Sequence, residues 1–271
     1  MRADKPIGFL LLFWPTLTAL ITLNKGQVAI DLLIIFSLGT FFMRSAGCVI
    51  NDYFDREFDR EVQRTKLRPL VTGEVKPYEA LILFFFLLVA SASLLFFLNL
   101  LSLITACMGV VILTIYPLCK RFLKVPQIFL GIAFSWGIIM ASTASLGEIN
   151  LVTFLMFLAC FFWILAYDTA YALSDKEDDI RINIHSSAIA FGDHVVPIFM
   201  FFHFISLFIW IYIGDLLNLN ILFFLCMAFV VILLLNQYVL VKHHERTNCF
   251  IAFKRNNFIG MLIAIASYIG I

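Results

Sequence analysis

Long apolar segments recur along the whole chain and constrain its fold more than any other feature. A helix that crosses a hydrocarbon core about 30 Å thick needs about 20 predominantly apolar residues. Nine segments of about this length are present, at 7–23, 28–50, 79–98, 100–117, 127–145, 151–173, 195–213, 220–241 and 256–271. The sequence therefore predicts an all-α, polytopic membrane protein with about nine transmembrane helices in one domain that covers residues 1–271.

The composition excludes an ordinary soluble domain. Of the 271 residues, 62% are hydrophobic and 14% are charged, and the mean hydropathy is +0.99. Soluble domains carry about 45–50% apolar and about 25% charged residues, so the excess apolar surface must face the lipid bilayer. The formal net charge of +1 gives no reason to expect a nucleic-acid partner.

Positive charge is concentrated in every second connecting segment. These basic connectors are the N-terminus and the segments 51–78, 118–126, 174–194 and 242–255. They hold 17 of the 19 Lys and Arg residues, whereas the intervening connectors hold only Lys25 and one further residue, Arg44, lies inside an apolar segment. Because basic loops remain in the cytoplasm, the pattern predicts a cytoplasmic N-terminus and an active face on the cytoplasmic side.

An acidic segment, Asn51–Asp59, begins the first long basic loop. Asn51, Asp55 and Asp59 are spaced i, i+4, i+8, so they share one face if the second helix continues beyond the membrane. Oxygen donors stacked in this way repel one another unless a cation lies between them, and Mg²⁺ binds through a few carboxylates together with substrate phosphates. The alternative is a solvated helix end in which aspartates pair with interleaved arginines such as Arg56.

A second acidic segment, Asp168–Asp179, spans the end of the sixth apolar segment. Asp175 and Asp179 are spaced i, i+4, and Asp168 lies one heptad before Asp175. An acid at the depth of Asp168 is costly unless it is paired or functional, so it is either a substrate-site residue or a partner in a hydrogen bond between helices. Two such segments on one side indicate a site for Mg²⁺ and a diphosphate. The predicted metal ligands are Asn51, Asp55, Asp59, Asp175 and Asp179.

Basic side chains are expected on the same side. Arg68 follows the first acidic segment, and Lys120 and Arg121 follow the fourth apolar segment. They are interpreted as ligands for phosphate oxygens, although the general positive charge of cytoplasmic loops also explains each of them. Arg44 lies seven residues before Asn51 and so near its helical face, where either snorkelling or an internal anion site accounts for it.

Several motifs carry a specific resemblance. They are Asp4-Lys5-Pro6-Ile7-Gly8, Trp14-Pro15-Thr16, the Asn-Asp-x-x-Asp-x-x-x-Asp pattern at 51–59, Arg68-Pro69-Leu70, Tyr116-Pro117 with Lys120-Arg121, and Tyr167-Asp168-Thr169-x-Tyr171-Ala172 through Asp178-Asp179. In these motifs and their order the chain resembles the UbiA superfamily of intramembrane prenyltransferases, in particular its 4-hydroxybenzoate polyprenyltransferase branch. The resemblance implies helices around a lipid-open central cavity. It also implies Mg²⁺-dependent transfer from polyprenyl diphosphate to the ring carbon ortho to the hydroxyl of 4-hydroxybenzoate, in ubiquinone synthesis at the cell inner membrane.

The expected roles follow from the motifs together with this resemblance. The predicted catalytic residues are Asp55, Asp59, Asp175, Asp179 and Arg121. The predicted substrate-binding residues are Arg44, Arg68, Lys120, Asp168 and Tyr171. Arg44, with Arg2 next, is the candidate partner for the carboxylate of the acceptor. At position 185 the chain has His where a Lys is common, which removes a fixed positive charge there.

Two alternatives differ in their chemistry. One is a prenyltransferase of the same superfamily with another acceptor, such as a quinone precursor without a carboxylate, or haem. The other is a secondary transporter, since acids within membranes also mark ion pathways. The acids here cluster at one face and not at the midplane, and no internal repeat is evident, so the sequence favours the enzyme over the transporter.

Overall fold

The described part of the chain is built from α-helices. The structure is a computed structural model that describes residues 4–62, 65–119 and 122–271, except for the side chains of 117 and 118. The helices are α1 (Ile7–Leu23), α2 (Ile30–Asp59), α3 (Pro69–Thr72), α4 (Pro77–Leu94), α5 (Leu100–Cys119), α6 (Gln127–Leu146), α7 (Leu151–Arg181), α8 (Ser187–Ala190), α9 (Val195–Leu216), α10 (Ile221–Val241) and α11 (Arg246–Gly270). Short 3₁₀ turns occupy Leu95–Phe97 and Gly192–His194. The described residues contain no β-strand, and the all-α prediction is confirmed.

The long helices coincide with the predicted apolar segments. In the described residues, each of the nine predicted segments overlaps a helix, and the shortest of these helices, α1, has 17 residues. Within the part of the chain that the structure describes, seven helices are long and apolar enough to cross a membrane, and α1 and Leu100–Tyr116 are shorter apolar helices. The polytopic membrane class is therefore confirmed. The number of crossings and the side of the N-terminus stay predictions.

Three helices extend further than the apolar segments predicted. The helix α2 continues to Asp59, α7 continues to Arg181, and α11 begins at Arg246, ten residues before the predicted start at 256. At α2 and α7 this confirms the helical continuation on which the i, i+4 spacings of the acids depend, whereas the start of α11 was predicted ten residues too late because a search for apolar runs stops at the first charged residues. Lys, Arg, Glu and Ala are nevertheless good helix formers. Both acidic segments consequently lie on rigid helices and not in loops.

Local side-chain interactions mark several helix ends. Asn150 caps α7 by accepting a hydrogen bond from the backbone N–H of Thr153 at 3.0 Å, and Asn220 caps α10 by accepting one from Leu222 at 2.9 Å. Such caps satisfy backbone donors that have no partner within the helix. Gly147 ends α6 with a φ of 71°, a left-handed conformation that glycine adopts without a steric penalty. The connections between α6 and α7 and between α9 and α10 are consequently short.

The bundle is organised around α7. This helix packs against α6, α9 and α11, while α2 packs mainly against α4 and α1 packs against α6 and α11. Buried side chains such as Ile138, Ile164 and Met227 belong to one apolar core shared by α1, α6, α7, α9, α10 and α11. The outer faces carry many exposed large apolar side chains, including Phe85 on α4 and Phe229 on α10. Such a surface requires lipid contact, because soluble proteins seldom expose apolar patches of this extent.

Candidate functional site

The two acidic segments meet at one end of the bundle. The first occupies the last turns of α2, and the second occupies the last turns of α7. Arg181, the last residue of α7, donates a hydrogen bond to the backbone carbonyl oxygen of Glu61 at 2.6 Å, and Glu61 lies two residues beyond Asp59. The structure therefore brings together two segments that are more than 100 residues apart in the sequence.

The first acidic segment is partly buried and linked internally. Asp55 and Asp59 are 8% and 6% exposed, and the Asn51 side-chain amide donates to Asp55 Oδ2 at 2.9 Å. Arg68 lies 3.0 Å from Asp52 Oδ1 and also forms an ion pair with Asp59. A buried carboxylate is costly unless it is paired, so Arg68 stabilises both acids. This arginine was predicted as a diphosphate ligand, and the structure places it between the aspartates.

The second acidic segment is held by two arginines. Asp175 and Asp178 are buried, and Asp179 is half-buried. Arg181 lies 3.0 Å from Asp178 Oδ1. Arg246, from the first turn of α11, forms an ion pair with Asp178 Oδ2 and lies 3.9 Å from Asp175 Oδ1.

Sequence reasoning missed Arg246. Its position among the basic residues of the 242–255 connector resembles ordinary positive charge of a cytoplasmic loop. Only the packing of α11 against α7 reveals that it faces the second acidic segment. Nothing in the local spacing of charges distinguishes it from Lys242 or Arg255.

The donor set fits a hard divalent cation in its chemistry. Carboxylate and amide oxygens are the ligands that Mg²⁺ and similar ions prefer. Among the described residues, however, no three His, Cys, Asp or Glu side chains already converge at metal-binding distance. Of the predicted ligands, Asp59 pairs with Arg68, and Asp175 lies 3.9 Å from Arg246.

A large cavity extends from the acidic end into the bundle. Its volume is about 1360 Å³, and residues of α1, α2, α4, α5, α6, α7 and α11 line it. Most ligand pockets measure about 300–1,000 Å³, so this cavity has room for a long substrate. The predicted site residues that line it are Asn51, Arg44, Arg68, Asp168 and Tyr171. The lining does not include four other predicted site residues that the structure describes, namely Asp55, Asp59, Asp175 and Asp179.

Arg44 places a cation deep in the cavity wall. It lies seven residues before Asn51, which is roughly 10 Å along the axis of α2. Its guanidinium packs against Gly8 of α1, where a Cβ atom would lie 2.6 Å from Arg44 Nε. Nη1 donates to Cys48 Sγ, whereas the buried Nε has no hydrogen-bond partner among the described residues. An unsatisfied guanidinium N–H beside a cavity fits an anionic ligand better than snorkelling toward the surface.

An aromatic cluster lines the cavity on the side of α7 and α11. The ring centroids of Tyr171 and Phe253 are 4.9 Å apart, and those of Tyr167 and Phe253 are 5.9 Å apart. Lys254 Nζ lies 4.9 Å above the Phe250 ring, and both residues line the cavity. The sequence predicted Tyr171 as a substrate contact but did not single out Phe250, Phe253 or Lys254. The faces of such rings stabilise positive charge.

Three predicted residues cannot be placed. Lys120 and Arg121, predicted to bind the substrate and to act in catalysis, lie outside the described residues, as does Arg2, the second candidate for the acceptor carboxylate. Tyr116, which precedes that pair in its motif, does line the cavity.

The fold and the site together define an α-helical membrane protein whose central cavity leads to paired acidic helix ends. The chain belongs to the UbiA prenyltransferase family, which matches residues 12–262. It is 44% identical over 98% of its length to a 4-hydroxybenzoate octaprenyltransferase of Vibrio parahaemolyticus serotype O3:K6, of which the alignment covers 93%. The family that the motifs predicted is therefore confirmed.

Solved structures of low sequence identity share the fold. The apo structure of a UbiA homolog from Aeropyrum pernix K1 superposes with a TM-score of 0.83 at 22% identity, over 98% of both chains. A UbiA homolog from Archaeoglobus fulgidus, bound to GPP and Mg²⁺, superposes with a TM-score of 0.74 at 18% identity, over 97% of both chains. These similarities support the helical architecture around the cavity.

Proposed function

We propose that the chain transfers a polyprenyl group from polyprenyl diphosphate to the ring carbon ortho to the hydroxyl of 4-hydroxybenzoate, in ubiquinone biosynthesis. The observation that carries the proposal is the junction of two acidic helix ends beside a largely apolar cavity that has a half-buried arginine, Arg44, in its wall. Family membership and the name of the relative that is 44% identical support the reaction class and the acceptor. The same membership argues against the secondary transporter.

Mg²⁺ is the proposed cofactor. The proposed ligands are Asn51, Asp55, Asp59, Asp175 and Asp179. The ion would supply positive charge that stabilises the diphosphate as a leaving group. The donor chemistry of the site and the Mg²⁺ bound by the Archaeoglobus fulgidus homolog support this choice.

The basic residues at the acidic end are proposed to bind the diphosphate. Arg68 lines the cavity and contacts Asp52 and also Asp59, one of the proposed metal ligands. Guanidinium groups match phosphate geometry through paired N–H donors. Lys120 and Arg121 are proposed to complete this anion site from the segment that follows α5.

The transfer itself exchanges one bond for another. The carbon–oxygen bond to the diphosphate breaks and leaves positive charge on the allylic carbon. The ortho carbon of the phenol then forms the new carbon–carbon bond, and the ring loses a proton. The cavity excludes bulk water from this carbon, and the ring faces of Tyr171 and Phe253 stabilise the developing charge.

The acceptor is proposed to bind deeper than the diphosphate. Arg44 is proposed to meet its carboxylate, because this residue lines the cavity and its Nε has no hydrogen-bond partner among the described residues. Asp168 and Tyr171 line the same cavity from α7 and are proposed to orient the phenol ring. Asp168 lies seven residues before Asp175 on α7, and Arg44 lies seven residues before Asn51 on α2, so both are about the same distance from the acidic end.

The proposed location is the cell inner membrane with the acidic end in the cytoplasm. The support for this orientation is the distribution of positive charge, since 17 of 19 Lys and Arg residues belong to the connectors at that end.

A direct assay tests the proposal. Membranes that contain the protein receive labelled 4-hydroxybenzoate and octaprenyl diphosphate, with Mg²⁺ or with a chelator. Prenylated product is expected only with the metal. Asp55→Ala and Asp175→Ala are each expected to lower turnover by at least about 100-fold, the scale of losing electrostatic stabilisation of a transition state. Absence of product from folded protein in both conditions would refute the proposal.

Matched controls come from the opposite end of the bundle. Asp31 lies in the first turn of α2, roughly 40 Å along that helix from Asp59, and Asp215 lies in the last turn of α9. Both are exposed. Asp31→Ala and Asp215→Ala are expected to leave turnover unchanged, which separates loss of the site from loss of a surface acid.

A further inference from the structure

Asp178 differs from the other acids of the second segment. It is 6% exposed, and both of its carboxylate oxygens contact arginines: Oδ1 lies 3.0 Å from Arg181, and Oδ2 pairs with Arg246. A carboxylate has about four lone-pair positions, and each oxygen of Asp178 uses at least one of them on an arginine. Asp178 is therefore placed to hold the side chains of Arg181 and Arg246 in position.

Arg246 is an unexpected residue for its position. It is the first residue of α11, and the partial positive charge of a helix N-terminus disfavours a cation there. The ion pair with Asp178, together with Asp175 at 3.9 Å, offsets this repulsion. The contacts of Arg246 with both acids are made by a single nitrogen, Nη2. A guanidinium has five N–H donors, so donors remain for another anion.

The arrangement repeats a feature of the first acidic segment. There, Arg68 contacts two acids of α2, Asp52 and Asp59. Here, Arg246 contacts two acids of α7. Each acidic helix end thus has one arginine that contacts two of its acids, and the two helix ends are joined by the hydrogen bond from Arg181 to Glu61.

We propose that Asp178 is a positioning residue rather than a metal ligand, and that it holds Arg246 beside Asp175 so that the Arg246 guanidinium binds the diphosphate of the substrate. The inference rests on the proposed function, because it assumes a diphosphate at the acidic end. It adds α11 to the elements that bind this group. Arg246 then acts opposite Arg68, and the diphosphate is held from both acidic segments.

Binding measurements on the purified, detergent-solubilised protein test this inference without turnover. The probes are Mn²⁺ alone, followed by electron paramagnetic resonance, and inorganic diphosphate with Mn²⁺ present, followed by calorimetry. Arg246→Gln is expected to weaken diphosphate binding about tenfold or more, the scale of losing a hydrogen bond to a charged group. Asp178→Asn is expected to weaken diphosphate binding similarly while leaving Mn²⁺ affinity within about twofold. Asp175→Asn is expected to weaken Mn²⁺ binding itself.

Two comparisons sharpen the result. If Asp178 acts through Arg246, the double variant Asp178→Asn/Arg246→Gln binds diphosphate no more weakly than Arg246→Gln alone, because coupled residues are not additive. Arg255→Gln is the matched control. Arg255 lies on the same helix, is exposed and hydrogen-bonds Asn236, so its replacement is expected to leave both affinities unchanged.

Defined outcomes overturn the inference. Unchanged diphosphate affinity in Arg246→Gln excludes a contact between Arg246 and the diphosphate. If Asp178→Asn loses as much Mn²⁺ affinity as Asp175→Asn, then Asp178 is a metal ligand and not a positioning residue. If Arg246→Gln fails to fold, Arg246→Met decides, since methionine keeps an unbranched side chain on the helix but has neither the charge nor an N–H donor; unchanged diphosphate affinity in Arg246→Met then refutes the inference. A wild-type protein that binds both probes but forms no prenylated acid refutes only the proposed function.

Discussion

At the scale of single residues, Arg44 offers the sharpest test of the acceptor site. Arg44→Ala is expected to raise the KM for 4-hydroxybenzoate about tenfold or more and to leave the KM for polyprenyl diphosphate nearly unchanged. The reason is that a hydrogen bond to a charged group contributes about 1.5–3 kcal/mol, and Arg44 lies away from the acidic end. Steady-state kinetics in membranes, with each substrate varied in turn, provide the measurement.

Acceptor analogues and a conservative variant provide the controls for Arg44. A phenol that lacks the carboxylate is expected to react equally with wild type and Arg44→Ala, because the lost contact concerns only the carboxylate. Arg44→Lys keeps the charge and is expected to recover part of the affinity. Unchanged KM and kcat for 4-hydroxybenzoate in Arg44→Ala would remove Arg44 from the site.

The residues of the site differ in how far sequence could identify them. Helical spacing was sufficient to place Asn51, Asp55 and Asp59 on one face of α2, because an i, i+4, i+8 pattern defines a face wherever the helix continues; their role as metal ligands stays a prediction. Arg246 and Lys254 could not be found in this way. A basic residue beside a membrane segment already has an explanation in topology, and only the packing of α11 on α7 separates a site residue from a charged neighbour.

At the scale of elements, close packing of α11 against its neighbours depends on a glycine. A Cβ atom at Gly260 would lie 2.9 Å from a ring carbon of Trp163 on α7 and 3.1 Å from Trp14 Cβ on α1. Small residues permit such approaches between membrane helices. Gly260→Ala is therefore expected to destabilise the fold by about 1–3 kcal/mol through overpacking, measured as a lower midpoint of thermal unfolding in detergent.

A second helical glycine is the control for this prediction. At Gly39 of α2 an added Cβ would meet only Leu94, at 3.7 Å, which is ordinary van der Waals contact. Gly39→Ala is expected to keep or raise the unfolding midpoint, since alanine favours a helix by about 1 kcal/mol over glycine. Equal midpoints for the two variants would show that α11 has room to shift.

The positions of the long helices were predicted better than their lengths. Apolar runs marked where each of the nine long described helices lies, because the hydrocarbon core imposes its own length on them. The runs could not mark where α2, α7 and α11 end, since helix formation continues into water through residues such as Lys, Arg and Glu. These polar extensions carry most of the proposed site.

At the scale of the whole molecule, composition established the membrane class but not the cavity. An excess of apolar residues requires lipid contact whatever the arrangement of the helices. A cavity of about 1360 Å³ between α2 and α4 on one side and α7 and α11 on the other depends on how the helices pack. The sequence indicated it only through the family resemblance.

The orientation of the molecule decides from which side the diphosphate arrives, because a charged group does not readily cross the hydrocarbon core. The orientation can be measured with single cysteines in a protein whose six native cysteines are replaced. Suitable positions are Glu74 and Glu148, which are exposed and lie at opposite ends of the bundle. A membrane-impermeant maleimide is expected to label Glu148→Cys in right-side-out vesicles and Glu74→Cys only in inverted ones, since basic connectors stay inside. The reverse pattern would place the acidic end outside and would require the substrate to be supplied from there. Labelling of both from one side would instead contradict the helix order, because three long helices, α4, α5 and α6, separate the two positions.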